Sequence, residues 1–342
     1  MTFGLIQPQT VETPASPAPS PSDWQRLSPK AKFRDPYVTA KGAPRASVPF
    51  IGYRTLWFNT GTLCNLACHN CYIESSPRND RLVFLARNEV KQFLDEARSL
   101  PDTPAEIGFT GGEPFMNPDL LGMLEDGLSG GFHVLVLTNA MKPMQRRMSA
   151  LLELNKLFPG RLCIRVSLDH YHAEGHESLR GPRTWQPTID GLKFLSAGGF
   201  EIAIAGRIVW GETDAAMRAG YGALLATLGL PLDANDPSRL VLFPELEPQQ
   251  DMPEISEGCW RTLARSPRDV MCASSRMVVK RKGADRPTVL SCTLLPYSEA
   301  FEMGTSLASS RQRVWLNHRH CSRFCVLGGA SCSSAHNEAS LR

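Results

Sequence analysis

From residue 53 onward the chain alternates short apolar runs with amphipathic stretches, and that rhythm restricts the fold more than any other feature. Candidate strands lie at 55–60, 106–110, 133–138, 162–168, 202–209 and 240–243. Between them, Val90, Phe93, Leu94 and Ala97 recur at the helical period behind a candidate cap at Asn88. Asn117-Pro118 opens a second helix that stops at Gly130-Gly131, and 189–197 ends similarly at Gly198-Gly199. Strands and helices in this order predict a parallel sheet with helices packed outside, and repeating βα units of this length suit a barrel or part of one. Chemistry then belongs at the C-terminal ends of the strands.

The loop after the first candidate strand reads Cys64-Asn65-Leu66-Ala67-Cys68-His69-Asn70-Cys71-Tyr72. Three thiolates spaced C-x3-C-x2-C can ligate three irons of a cubane cluster, where the usual protein site supplies four cysteines. One iron is left open for a small molecule. Structural zinc sites pair two separated knuckles or add histidines, and this compact loop lacks a fourth ligand. Disulfides fit poorly, because the cysteines lie so close along the chain.

That spacing, with the aromatic Tyr72 directly after the last cysteine, resembles the signature of the radical S-adenosylmethionine (radical SAM) superfamily. The resemblance implies an α/β fold, a partial (β/α)6 TIM-like barrel, with Cys64, Cys68 and Cys71 holding a 4Fe-4S cluster. It also implies that S-adenosylmethionine chelates the open iron and that an electron from the cluster splits its sulfonium. The product is a 5'-deoxyadenosyl radical that abstracts hydrogen from a substrate. Thr110-Gly111-Gly112-Glu113-Pro114, after the second strand, is similar to the family's GGEP motif, whose backbone binds the methionyl amino group. Paired glycines permit unusual dihedrals and let a ligand approach the main chain.

Along the fourth strand Leu162, Ile164, Val166 and Leu168 alternate with Cys163, Arg165, Ser167 and Asp169. The apolar face should meet the helices, which points Ser167 and Asp169 into the barrel mouth. Ser167-Leu168-Asp169 resembles the family's ribose-contacting position. Asn139, after the third strand, is a further candidate for that pocket, and Arg207, sharing a face with Ala203, Ala205 and Val209, could clamp the cofactor carboxylate. The polar loop from His170 to Glu177 should overhang the mouth, with Tyr171 and His172 as candidates for positioning substrate or donating a proton. His172 and His176 also have the spacing of helical metal ligands.

A second cysteine group holds Cys259, Cys272, Cys292, Cys321, Cys325 and Cys332. Apolar runs at 277–280 and 288–290 flank a glycine-containing loop and read as a β-hairpin between Cys272 and Cys292. A hairpin followed by the Cys321/Cys325 pair resembles the twitch domain, a shortened relative of the SPASM domain. The match departs from pattern in its C-x3-C spacing, and six cysteines are too few for two auxiliary clusters. The resemblance implies one auxiliary 4Fe-4S cluster on Cys272, Cys292, Cys321 and Cys325, with Cys259 and Cys332 as possible substitutes. A tetrahedral zinc site on the same thiols stays open.

Composition sets the remaining bounds. At 342 residues, 42% hydrophobic and 21% charged, the chain can bury a large domain and a smaller one. A net charge of +3, with no basic run beyond Lys280-Arg281-Lys282, gives no nucleic-acid footprint. No apolar run reaches membrane-span length, and Met1 to Ser22 carry no Lys or Arg, so neither a membrane nor a secretory signal is expected and the cytoplasm is the expected compartment. The expected division is a disordered Pro-rich arm at 1–48, the barrel at 49–250 and the auxiliary cluster domain at 251–342.

The function so implied is an oxidoreductase acting on a small molecule by oxidation or rearrangement, with a reductase such as flavodoxin or ferredoxin as electron donor. The short polar arm favours that outcome over the alternative, a maturase of ribosomal peptides. A non-catalytic iron-sulfur electron carrier is the alternative of another class, and it would need neither the Gly-Gly-Glu-Pro nor the Ser-Leu-Asp feature.

Overall fold

The computed structural model describes residues 32–208, 211–245 and 251–328. A two-residue strand, β1 (Ser47–Val48), precedes six parallel strands that form the frame. These are β2 (Thr55–Asn59), β3 (Glu106–Thr110), β4 (His133–Thr138), β5 (Leu162–Ser167), β6 (Glu201–Ile208) and β7 (Leu240–Pro244), each paired with the next in chain order. Residue 209, the expected end of the fifth frame strand, lies outside the described residues. β8 (Ser275–Val279) adds parallel to the free edge of β2, and β9 (Thr288–Leu290) returns antiparallel on β8. The resulting order, β7-β6-β5-β4-β3-β2-β8-β9, is a partial barrel widened by a hairpin from the C-terminal region.

Alternation along the strands divides the interior into two layers. Leu56, Phe58, Ile107, Phe109, Val134, Val136, Ile164 and Val166 face outward and pack under the helices. Trp57, Leu135, Ala205 and Met277 face inward and fill the barrel. Helix α1 (Arg87–Ser99) buries Val90, Phe93, Leu94 and Ala97 against the outer layer. Truncating Phe93 or Leu94 to alanine costs about 2–5 kcal/mol. The expected cap is corrected here: Ala86 occupies the N-cap, and Glu89 folds back to accept from the Ala86 N–H at 2.9 Å. Asn88 therefore sits inside the first turn. Asn117 does act at the start of α2 (Leu120–Ser129), accepting from Asp119 N at 2.9 Å while its amide donates to Leu85 O and Thr60 O.

Of the arm expected over 1–48, residues 1–31 lie outside the described part, and of the rest 38, 39 and 45–48 are buried. Arg45 is buried, donating to Asp35 O and Val38 O and pairing with Glu254 at 2.5 Å. β1 pairs antiparallel with β10 (Val314–Trp315). Ala46 and Val48 share one hydrophobic cluster with Ile255, Trp260, Phe301 and Leu316. The smaller unit is thus built from both ends of the described chain.

Candidate active site

The three-cysteine loop leaves β2 at the C-terminal rim of the barrel and closes on itself. Cys64 N donates to Ser76 O at 3.1 Å, and Glu74 N donates to Cys71 O at 3.0 Å. Cys64 Sγ accepts from Leu66 N at 3.4 Å and Cys71 Sγ from Ser75 N at 3.3 Å. Burial pushes the Cys64 thiol up to about 12 and raises that of Cys68, whereas a bound cation would favour the thiolates. All three thiols line one cavity of about 180 Å³ that opens at this rim.

The same cavity gathers Tyr72, Gly111, Gly112, Asn139, Ser167, Asp169 and Arg207, so seven of the eight expected cofactor residues stand around the thiols. Glu113 does not line it. It is 1% exposed and accepts from Phe115 N at 3.2 Å, Thr138 Oγ1 at 2.8 Å and Asn139 N at 2.9 Å. Its carboxylate therefore ties the glycine turn to the end of β4, and burial pushes its pKa up to about 7 against those three donors.

The glycines meet protein as well as cavity. A Cβ on Gly112 would lie 2.1 Å from Leu63 O, and one on Gly111, at φ +148°, 2.5 Å from Gly61 O. Gly112 N donates to Gly61 O at 2.8 Å and Glu113 N to Leu63 O at 3.1 Å. The chain that approaches this turn is thus the segment leading into Cys64.

Two ion pairs occupy groups expected to be open. Asp169 is held by both Arg180 Nε, at 2.8 Å, and Arg180 Nη2, at 3.0 Å. Arg207 donates from Nη2 to both Glu245 oxygens, at 2.6 and 2.8 Å, and from Nη1 to His69 O at 3.2 Å, and lies over the Tyr72 ring at 4.9 Å. Arg207 therefore anchors the cysteine loop to β7 rather than presenting a free clamp; only its Nε is buried without a partner. Tyr72 donates through its hydroxyl to Pro244 O at 3.1 Å, and Asn139 donates to Asn65 Oδ1 at 2.9 Å.

Tyr171 and His172 do not line the cavity. The Tyr171 hydroxyl donates to Glu212 at 3.1 Å, and His172 is exposed at the start of the helix Ala173–Arg180. His172 and His176 are not a ligand pair: His176 is buried, its Nδ1 accepts from Asp169 N at 3.3 Å, and burial pulls its pKa down to about 4. His176, read from its spacing as a metal-ligand candidate, instead supports Asp169, while Arg180 and Glu245 are partners at the site that the sequence reading missed. Glu245 follows a strand end, the same signal that marked Asp169, while Arg180 reaches the site only because its helix folds back over the mouth.

The C-terminal unit supplies the opposite wall through Thr293, Leu294 and Phe324. Behind it, Cys272, Cys292, Cys321 and Cys325 line a second, small apolar cavity. Cys292 Sγ accepts from Leu294 N at 3.4 Å, and burial pushes Cys272 up to about 11, opposed by the Arg276 guanidinium. Cys259 does not line this cavity; its sulfur accepts from Ser256 N at 3.4 Å. Cys332 lies outside the described residues.

An open rim carrying three clustered thiols on a partial βα barrel defines a class of cluster-bearing α/β enzymes, and comparison with known proteins gives the family. Residues 58–218 match the Radical SAM superfamily, and the chain carries a radical SAM domain over that range. It is 33% identical over 144 residues to the antilisterial bacteriocin subtilosin biosynthesis protein AlbA of Bacillus subtilis, covering 42% of this chain and 30% of that one. It is 27% identical over 168 residues to the mycofactocin maturase MftC of Mycolicibacterium smegmatis, covering 47% and 41%. The matched stretch is thus less than half of either relative. Streptococcus suis SuiB bound to S-adenosylmethionine shares the fold, with TM-score 0.53 and 13% identity over 74% of this chain and 63% of that one. SuiB bound to the precursor peptide SuiA gives TM-score 0.51 at 12% identity, covering 74% and 62%.

Proposed function

We propose that this chain is a radical SAM enzyme that modifies a peptide, starting from abstraction of a hydrogen atom. The observation that carries the reading is the cavity itself: three thiols, one ligand short of a closed cubane site, face Gly111, Ser167 and the Asp169–Arg180 pair across one space. The donor set fits a 4Fe-4S cluster on Cys64, Cys68 and Cys71, with S-adenosylmethionine against the main chain of 110–112 and the polar ends of β4 and β5. When bound, the group supplies one electron that breaks the sulfonium S–C5' bond, giving methionine and a 5'-deoxyadenosyl radical that takes hydrogen from the substrate.

The chain's own residues position and enclose. Glu113 fixes the glycine turn, Arg180 and His176 hold Asp169 at the cavity, and the Arg207–Glu245 pair holds the cysteine loop. Trp57, Tyr72, Phe243, Leu294 and Phe324 give the remaining wall an apolar surface that excludes water from a radical.

The peptide substrate rests on the relatives named for bacteriocin biosynthesis and mycofactocin maturation, together with SuiB and its precursor peptide. It replaces the small-molecule reading, and the assigned class is modification rather than metabolite oxidation. We assign the second cavity to an auxiliary 4Fe-4S cluster on Cys272, Cys292, Cys321 and Cys325. A low-potential donor such as flavodoxin or ferredoxin would supply the electron.

The test is anaerobic reconstitution followed by dithionite and S-adenosylmethionine. About eight irons per chain, 5'-deoxyadenosine from the parent and none from Cys68→Ala are expected. A peptide that raises 5'-deoxyadenosine above its uncoupled level and changes in mass supports the substrate class. Stimulation by small metabolites alone would overturn it, and a full cluster without cleavage would leave an electron carrier.

A further inference from the structure

Arg276, on β8, is 1% exposed and, among the described residues, donates only to neutral groups. Its guanidinium donates to four carbonyl oxygens: Ser310 at 2.7 Å, Cys272 at 2.6 Å, Ser275 at 2.8 Å and Gln312 at 2.9 Å. It also lies 4.3 Å from the centre of the Phe50 ring. Three other buried guanidinia behave differently: Arg45 pairs with Glu254, Arg180 with Asp169 and Arg207 with Glu245. Carbonyl dipoles satisfy the N–H groups of Arg276 but do not cancel its charge. An uncompensated buried cation costs several kcal/mol, so it is retained where an anion stands near.

The group that Arg276 touches supplies that anion. It holds the main chain of Cys272, one of four thiols lining the second cavity, whose other walls include Val270, Phe301 and Leu316. Four thiolates around a cubane carry net negative charge, and reduction adds one more electron. A fixed buried cation behind the main chain of Cys272 stabilises the reduced form more than the oxidised one.

We propose that Arg276 is the buried counter-charge of the auxiliary cluster and sets its reduction potential above the value the four thiolates alone would give. This rests on the assignment of a cluster to that cavity. A cluster so poised accepts one electron from a carbon radical formed in the adjoining cavity, with Leu294 lining both spaces. The electron leaves the substrate carbon and reduces the auxiliary cluster; a proton leaves the substrate to solvent.

The test is an EPR-monitored redox titration of the reconstituted full chain. Arg276→Gln keeps a hydrogen-bond donor and removes the charge, and it is expected to lower the midpoint of the C-terminal signal while leaving the N-terminal one in place. Arg276→Lys, which keeps the charge, is expected to restore the midpoint towards the parent value. A purely structural role predicts lower iron content in both variants with no midpoint shift, and that result overturns the proposal. Should both variants fail to fold, Gln312→Glu places a carboxylate at an exposed residue bonded to Arg276 through its carbonyl. It must lower the same midpoint, and an unmoved value refutes the counter-charge. A parent chain with one signal and about four irons removes the cluster assignment itself, a result distinct from an unmoved potential.

Discussion

Gly112→Ala tests whether the glycine turn is built for the protein or only for a ligand. The new methyl would sit 2.1 Å from Leu63 O and 2.8 Å from Thr62 O, both backbone atoms. An ordinary C···O contact is about 3.3 Å, so one of the two segments must move by about 1 Å. Forced overpacking of this kind costs about 1–3 kcal/mol. The shift also strains the bonds from Gly112 N to Gly61 O and from Glu113 N to Leu63 O, worth about 1 kcal/mol each. The sum, about 3–5 kcal/mol, corresponds to a melting temperature lower by about 5–15 °C. Thermal unfolding of the cluster-free protein, followed by circular dichroism, reads it without cofactor. Iron content after reconstitution should fall as well, since the displaced segment ends at Cys64. A cluster-free variant melting with the parent would refute the reasoning and leave the turn a ligand cradle alone.

Arg180→Met leaves the Asp169 carboxylate buried and unpaired, and breaking such a pair costs about 3–5 kcal/mol; S-adenosylmethionine binding by equilibrium dialysis should be lost while some iron is retained. Burial puts the folded-state pKa of Glu113 at about 7 against an ordinary 4.5, so the native chain binds that proton more tightly. Its contribution, about 3 kcal/mol, is fully present below pH 4.5 and is lost as pH rises through 7. Urea unfolding of the cluster-free chain should show that slope, and Glu113→Gln should flatten it; parallel profiles would contradict the assignment. Cys292→Ala should halve the iron to about four per chain and keep S-adenosylmethionine cleavage. Iron near eight in that variant would release Cys292 from the cluster.

The strands were legible almost to the residue, because period-two alternation and β-branched content report burial directly, as along β5. The three-cysteine loop was legible for a different reason: a ligand set confined to eight residues depends little on the fold. What escaped depends on long-range geometry. Asp169 and Arg207 were readable as strand-end residues, yet their partners, Arg180 and Glu245, come from separate elements whose approach no local pattern encodes. Glu113 was read with its motif, but its role as a buried tie to β4 follows from packing around it. The arm misled because proline and serine content reports weak local structure, while residues 46–48 are ordered by contacts far along the chain.

The central claim is that Cys64, Cys68 and Cys71 leave one iron open to S-adenosylmethionine. EPR of the dithionite-reduced Cys292→Ala/Cys325→Ala chain, with the N-terminal cluster alone, addresses it most directly. The account predicts about four irons and a signal whose g values shift on adding S-adenosylmethionine. A reduced cluster whose spectrum stays unchanged at saturating S-adenosylmethionine would contradict it.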